Sequence, residues 1–135
     1  MRKIICIGNR YIEPDGAALW IYDQIQEKKE EHLEWIEGGI GGINLLPHFE
    51  TEKEILVLDY FVGTPNATLF SLEDVLEKVD IREYSHPNAF YYLLNSLDIL
   101  LENKPKINIL SCNPQTPAYE QEIFAFIKQW KNHAA

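Results

Sequence analysis

The sequence has few cysteines and none of the motifs that are built from them. It contains two cysteines among 135 residues, Cys6 and Cys112, and no C-x-x-C pair. This scarcity argues against a thiolate zinc site and against a disulfide-stabilised scaffold. Both thiols lie in apolar runs, so we predict that they are buried and unpaired.

Basic residues and long apolar runs are also scarce. Twelve Lys and Arg stand against 21 Asp and Glu, a net charge of −9. This balance disfavours nucleic acid and anionic membranes as partners and favours a cationic partner or a metal ion. Apolar runs such as Ile55 to Leu58 are far shorter than the roughly 20 residues of a membrane span. The run after Arg2 and Lys3 ends at Gly8, too early for a signal peptide. We therefore expect a cytoplasmic protein without membrane insertion.

Three motifs of common enzymes and nucleotide-binding proteins are missing as well. The chain contains neither G-x-G-x-x-G nor the P-loop pattern, and no serine lies in a G-x-S-x-G elbow. Cys112 has no evident His and Asn partners, which argues against a cysteine protease. The usual nucleotide fingerprints and the usual nucleophiles are therefore not predicted.

The segments that are present alternate between strand and helix patterns. Short apolar or β-branched runs predict the strands Lys3 to Ile7, Leu33 to Ile36, Glu54 to Phe61, Thr68 to Ser71 and Lys106 to Cys112. The unbroken apolarity of Ile55 to Leu58 is typical of a strand covered on both faces. The length suits one domain spanning residues 1–135. We predict an α/β, three-layer α/β/α sandwich around a mostly parallel, twisted sheet of about five strands.

Apolar residues at helical spacing predict the helices. Ala17, Ala18, Ile21 and Ile25 form the first such stripe, and the charged stretch 27–31 is predicted to close its helix. A short helix is predicted over Ile43 to Phe49. A long one begins at Pro87, where a missing N–H is tolerated, and a last one carries Ile123 to Trp130. The stretch 73–83 is polar and is not assigned to an element.

Three ionisable residues fall where the strands of such a sheet end. Asp15 follows the first strand, Asp59 closes the apolar strand from Glu54, and His86 directly precedes the helix at Pro87. Ligands of open parallel sheets bind beyond these carboxyl ends. Two carboxylates and an imidazole suit a borderline divalent metal. Each residue also has a purely structural interpretation: Asp15 as a helix cap, Asp59 as a paired buried carboxylate, and His86 as a cap or surface side chain.

The glycine-rich stretch from Gly38 to Gly42 has two interpretations. Its glycines either let a substrate backbone approach closely or supply positive φ angles. The second interpretation is favoured for Gly41 and Gly42. We assign substrate contact to Gly38, Gly39, Ile40 and Gly41.

The order of these motifs resembles that of the hydrogenase maturation endopeptidases. The resemblance lies in Ile5 to Asn9 followed by Asp15 to Ala18, in Glu37 to Leu46, in Ile55 to Asp59, in Ser85-His86, and in Lys106 to Pro114. It covers nearly the whole chain in order. Departures are Pro14 at the first position of an acidic pair, Ile40 in place of threonine, Glu37 in place of aspartate, and Ala18 in place of glycine.

The resemblance implies a function and a set of roles. It implies an endopeptidase that removes the C-terminal extension of a nickel–iron hydrogenase large-subunit precursor once nickel is inserted. Asp15, Asp59 and His86 then serve as metal ligands and as catalytic residues, and the substrate supplies the nickel. We expect weak metal affinity in the free protein, with zinc or cadmium as adventitious occupants.

Two other functions remain open from the sequence. One is a non-catalytic nickel carrier or adaptor that binds metal through the same three residues. The other is a small phosphate- or nucleotide-binding domain that uses Gly8 and the helix start at Gly16. Asp15 beside that helix start would repel a phosphate, which disfavours the second alternative.

Overall fold

The strands and helices follow the predicted alternation along the chain. The computed structural model describes residues 2–25, 32–51, 54–78 and 89–132. Within these ranges the strands are Arg2–Ile7 (β1), Leu33–Gly39 (β2), Glu54–Asp59 (β3), Leu69–Ser71 (β4) and Lys106–Ser111 (β5). The α-helices are Ala17–Ile25 (α1), Leu46–Thr51 (α2), Leu72–Lys78 (α3), Ala89–Leu100 (α4) and Tyr119–Asn132 (α5), and a 3₁₀ turn covers Ile43–Leu45.

The strands form a single sheet in the order β2-β1-β3-β5-β4. β1 pairs in parallel with β2 and β3, and β3 pairs in parallel with β5. The short edge strand β4 runs antiparallel to β5. The predicted α/β class with a mostly parallel sheet of about five strands is confirmed.

Two apolar clusters lie on opposite faces of this sheet, because alternate side chains of a strand point to opposite sides. On one face, Ile5, Val57 and Ile109 pack with residues of α2, α3 and α4. On the other, Cys6 and Leu58 pack with residues of α1 and α5. The sheet is therefore the middle of three layers, as predicted. Both cysteines are buried and free, also as predicted.

Some predicted boundaries are wrong. The strand predicted to reach Phe61 ends at Asp59, and Phe61 turns into the core, where its ring lies 6.0 Å from that of Phe70. The second strand continues past Ile36 to Gly39. The polar stretch after Ser71 starts with helix α3, since Leu72 and Val75 bury one face of it. The predicted helix over Ile43 to Phe49 is a 3₁₀ turn followed by α2.

Two further predictions fall on residues that the structure does not describe. Residues 27–31, predicted to close the first helix, and Pro87, the predicted start of the long helix, are outside the described ranges. Among the described residues, no helix is both long and apolar enough to cross a membrane.

Ala118 has a left-handed backbone conformation although it is not a glycine, and its replacement tests what this conformation costs. Ala118 directly precedes α5 with φ of 58°, and its carbonyl accepts a hydrogen bond from the N–H of Glu122. An L-residue in this region costs roughly 1–2 kcal/mol, which glycine avoids at some cost in unfolded-state entropy. We expect Ala118→Gly to raise the free energy of unfolding by about 0.5–1 kcal/mol, measured by urea denaturation. The control Ala125→Gly, at an exposed position inside α5, should lower it by about 1 kcal/mol. Equal losses in both variants would contradict the prediction.

Candidate active site

Asp59 is a buried carboxylate at the carboxyl end of β3. Only 4% of the residue is exposed. Because side chains alternate along the strand, Asp59 points to the same side as Ile55 and Val57, toward α4. Its Oδ1 accepts a hydrogen bond from the N–H of Tyr60 at 2.8 Å, and its Oδ2 accepts one from the hydroxyl of Tyr91 at 2.6 Å. The carboxylate is thus held at both oxygens.

The surroundings of Asp59 make its ionisation costly. Burial raises the pKa of its carboxyl from 3.8 to about 7. The hydrogen bonds from Tyr91 and from the N–H of Tyr60 lower this pKa, and the charge of Asp15 raises it further. Asp59 therefore exchanges its proton near neutral pH, a property that is common at functional sites.

Asp15 lies in the loop between β1 and α1. Its Oδ2 accepts a hydrogen bond from the N–H of Asn9 at 2.7 Å. This bond closes the loop onto its own first residues and does not cap α1. Gly8 makes the closure possible, because a Cβ at this position would lie 2.2 Å from the carbonyl oxygen of Asp15. The partly exposed carboxylate is close enough to Asp59 to affect its pKa.

The two carboxylates lie at the point where the strand order reverses. From β1 the chain crosses to β2 on one side, and β3 then lies on the other side of β1. Asp15 follows the carboxyl end of β1, and Asp59 ends β3. In open α/β sheets, the crevice at such a reversal is where ligands bind. The structure thus places two of the three predicted site residues at this edge of the sheet, where the charge of Asp15 acts on Asp59.

The third predicted residue, His86, lies outside the described residues. It precedes Ala89, the first residue of α4, by three positions in the sequence. Within residues 2–25, 32–51, 54–78 and 89–132, no group of three His, Cys, Asp or Glu side chains is placed to hold a metal ion. Of the three predicted ligands, the described residues therefore include only the carboxylates of Asp15 and Asp59.

The glycine-rich stretch divides into packing and exposed positions. Gly38 is buried in β2, where a Cβ would lie 2.5 Å from Cδ1 of Ile7. Gly41 has φ of +77°, and a Cβ there would lie 2.4 Å from Cβ of Phe90 in α4. Space on the Cβ side of Gly39 is open, and Ile40 is 68% exposed. Gly38 and Gly41 have clear packing reasons to be glycine, whereas Gly39 and Ile40 face outward.

Arg10 connects the loop that carries Asp15 to β2 and α1. Its guanidinium donates to Glu37 of β2 at 2.9 Å and to Asp23 of α1 at 2.8 Å. Its carbonyl accepts a hydrogen bond from the indole of Trp20. Sequence analysis missed this residue, because its acidic partners lie 13 and 27 positions away and no pattern relates them.

Tyr91 was also missed. It lies directly after Phe90 among the apolar residues of α4, and it is fully buried. A tyrosine beside a helical stripe is usually a core residue, so only its three-dimensional contact with Asp59 shows its polar role.

The N–H groups of Gly8, Asn9 and Gly16 in the loop between β1 and α1, and of Ala17 at the start of α1, are already used in hydrogen bonds within the protein. The N–H of Gly8 donates to the carbonyl of Gly39 at 2.8 Å, and the N–H of Asn9 donates to Asp15. The N–H groups of Gly16 and Ala17 donate to carbonyls of the same loop. Because these amides already have acceptors, the phosphate- or nucleotide-binding alternative is disfavoured.

Solved structures of hydrogenase maturation enzymes share this architecture. The hydrogenase maturating endopeptidase HybD from E. coli matches with a TM-score of 0.67 at 19% identity, over 96% of this chain and 90% of that protein. A hydrogenase 3 maturation protease matches with a TM-score of 0.68 at 14% identity, over 100% and 92%. The NiFe hydrogenase maturation protease HycI from Thermococcus kodakarensis KOD1 matches with a TM-score of 0.66 at 12% identity, over 97% and 90%.

Similarity at the level of sequence is much weaker than similarity of structure. No protein-family model matches the chain, and no curated protein matches it as a relative. At identities of 12% to 19%, the structural matches establish the fold. This chain has the fold of the hydrogenase maturation endopeptidases.

Proposed function

From this shared fold we propose that the chain is an endopeptidase that removes the C-terminal extension of a nickel–iron hydrogenase large-subunit precursor after nickel insertion. Asp15, Asp59 and His86 recognise the nickel carried by that precursor. The observation that supports the proposal is the position of Asp15 and Asp59, which follow β1 and end β3 at the reversal of strand order.

A cation fits the electrostatics of this pair. Burial and the charge of Asp15 both favour the protonated form of Asp59, as its pKa of about 7 reflects. A divalent cation between the carboxylates reverses this balance, since it favours the ionised form of both. Carboxylate oxygens together with an imidazole nitrogen are ligands that a divalent ion such as nickel accepts. Binding of a loaded precursor is therefore coupled to loss of the Asp59 proton.

The reaction is hydrolysis of one peptide bond. A water molecule adds its hydroxyl to the carbonyl carbon, the carbon–nitrogen bond breaks, and a proton passes to the leaving amine. A carboxylate that has lost its proton when the loaded precursor binds can accept a proton from the attacking water, and Asp59 is the proposed group. The nickel either polarises the scissile carbonyl or marks the loaded precursor while the carboxylate acts as the base.

The backbone on both sides of the scissile bond needs a surface to lie on. Gly39 has open space at its Cβ side, and Ile40 presents an exposed apolar side chain beside it. These two positions are the proposed substrate contacts that face outward. Gly38 and Gly41 contribute to the same surface by shaping the loop, because each packs against a neighbouring element.

We expect this chain to shorten only a nickel-loaded precursor. The test is the intact mass of a candidate large-subunit precursor, loaded or free of nickel, after incubation with the protein. Loss of a C-terminal peptide from the loaded form alone is the expected result, because the metal completes the recognition by the two carboxylates. The Asp15→Asn variant should cleave about 100-fold more slowly or worse, given the usual size of such effects.

The matched control is Glu13→Gln, in the same loop as Asp15 and exposed. It should cleave as the parent does. Cleavage of the nickel-free precursor would contradict the metal checkpoint. An unchanged mass for every loaded precursor, together with nickel transfer to this chain, would instead favour the non-catalytic carrier.

A further inference from the structure

The hydrogen bond between Tyr91 and Asp59 joins two layers of the fold at the proposed site. Tyr91 lies on α4, and Asp59 lies at the end of β3. Their oxygens are 2.6 Å apart, and both residues are buried. A distance this short is typical of a hydroxyl that donates to a charged or strongly polarised acceptor. Together with the hydrogen bond from the N–H of Tyr60, the contact therefore defines the orientation of the Asp59 carboxylate.

The ring of Tyr91 has little freedom to move. It lies edge-on to Phe90, with 5.4 Å between ring centroids, and 6.2 Å from the ring of Phe61. Because the ring is packed on these sides, the hydroxyl has a defined position relative to β3. The direction of the Asp59 carboxylate is thus set by an element other than its own strand.

The position of α4 depends in turn on the glycine-rich stretch from Gly38 to Gly42. Gly41 lies so close to the first turn of α4 that a Cβ would come within 2.4 Å of Cβ of Phe90 and 3.0 Å of its Cα. The next residue of α4 is Tyr91. The absence of a side chain at Gly41 therefore lets the helix approach far enough for the hydroxyl to reach Asp59.

We infer that Tyr91 is a positioning residue, which holds the Asp59 carboxylate in the orientation that it presents to the cation of the substrate. This inference rests on the proposed function and adds a residue to it. Residues that hydrogen-bond to a ligating carboxylate orient it, and their loss typically costs 10- to 100-fold in affinity or activity. In this role Tyr91 acts on the reaction through Asp59, to which its hydroxyl donates.

The competing interpretation is that the hydroxyl only satisfies a buried carboxylate. Buried polar groups need partners, and the bond has this effect whatever the protein does. The two interpretations predict different effects of removing the hydroxyl. Loss of a purely structural bond affects stability alone, whereas loss of a positioning bond also affects the direction of Asp59 and the rate of cleavage.

The test compares Tyr91→Phe with the control Tyr92→Phe. Both variants lose one hydroxyl from adjacent residues of α4, but Tyr92 is 55% exposed. The phenylalanine ring keeps the packing with Phe90 and Phe61. We expect kcat/KM for the nickel-loaded precursor to fall by about 10- to 100-fold in Tyr91→Phe and to stay within about twofold in Tyr92→Phe.

A second measurement reports on Asp59 without any substrate. Three-bond couplings to the Cγ of Asp59, measured by NMR on the isolated protein, give its χ1 rotamer. We expect a single rotamer in the parent chain and in Tyr92→Phe, and averaged couplings or another rotamer in Tyr91→Phe. An unchanged single rotamer in Tyr91→Phe would overturn the inference. So would a changed rotamer with an unchanged kcat/KM.

The two measurements also separate this inference from the proposed function. If the parent chain leaves loaded precursor intact, the proposed function fails, and the couplings alone decide whether Tyr91 fixes the carboxylate. If the parent chain cleaves the loaded precursor and the Asp59 couplings of Tyr91→Phe equal those of the parent, the proposed function stands and the inference is wrong.

Discussion

The Asp59→Asn variant is expected to be more stable than the parent chain at pH 8 and to process precursor far more slowly. The gain in stability follows from the cost of ionising a carboxyl that is only 4% exposed. An amide keeps the shape of the side chain and both contacts, since its oxygen accepts from the N–H of Tyr60 and its NH₂ donates to the oxygen of Tyr91. The loss of activity follows because an amide cannot accept a proton or pair with the cation. We expect cleavage to fall by about 100- to 10,000-fold.

The stability difference depends on pH in a defined direction. Below the ordinary pKa of 3.8, Asp59 is protonated in both the folded and the unfolded chain, and it adds no cost. As the pH rises toward its folded-state pKa of about 7, the unfolded chain ionises first, so the stability of the parent falls. Above that pH the full cost is present. The interval from 3.8 to about 7, at about 1.4 kcal/mol per pH unit, corresponds to about 4 kcal/mol at most.

The measurement is urea denaturation of Asp59→Asn and of the parent between pH 4 and pH 8. The two should be nearly equal at pH 4 and should separate as the pH rises. The control is Asp98→Asn, which removes a carboxylate paired with Lys104 at the surface, where its side chain is 76% exposed. That variant should keep the pH dependence of the parent. An Asp59→Asn protein that is less stable at pH 8, or that follows the pH dependence of the parent, contradicts the prediction.

The His86→Ala variant should lose metal-dependent processing while the fold stays intact. The physical reason lies in the proposed function: if Asp15 and Asp59 supply two ligands to the nickel of the precursor, a third donor such as an imidazole strengthens its recognition. We expect cleavage of loaded precursor to fall by about 100-fold or more. The rate of cleavage is followed by intact mass, and the fold is checked by the thermal transition.

The matched control for this variant is His32→Ala. His32 is exposed and directly precedes β2. It lies at the opposite end of that strand from the glycine-rich stretch. Its removal should leave cleavage unchanged. Full activity in His86→Ala would remove this residue from the proposed site and leave the two carboxylates without the predicted third ligand.

The fold was largely predictable because burial on both faces has a clear signature in the sequence. The runs Ile4 to Ile7 and Ile55 to Leu58 can only be accommodated as central strands, and they are β1 and β3. Edge elements were less predictable. Strand β4 has three residues of mixed exposure, and its antiparallel direction depends on its pairing with β5, which no local pattern records.

The sequence was sufficient to propose the acidic residues of the candidate site. It did not predict the side chains that hydrogen-bond to carboxylates around it. Asp59 was identifiable because a carboxylate at the end of an apolar strand is costly without a partner. The partner itself, Tyr91, comes from a helix 32 positions further along the chain. The same holds for Arg10, which gathers two distant carboxylates. Such pairs depend on how close the layers pack, and that distance follows from small contacts such as the one between Gly41 and Phe90.

The two edges of the sheet formed by the described strands have a consequence for how an extended peptide associates with this protein. An extended chain can add to an open sheet edge through its backbone and remain there as an extra strand. Here one edge is β4, which has only three residues, and the other is β2, which carries the exposed carboxylates of Glu34 and Glu37. Short and charged edges resist such pairing. An extended peptide, and equally a neighbouring copy of this chain, therefore finds little to pair with along these two edges.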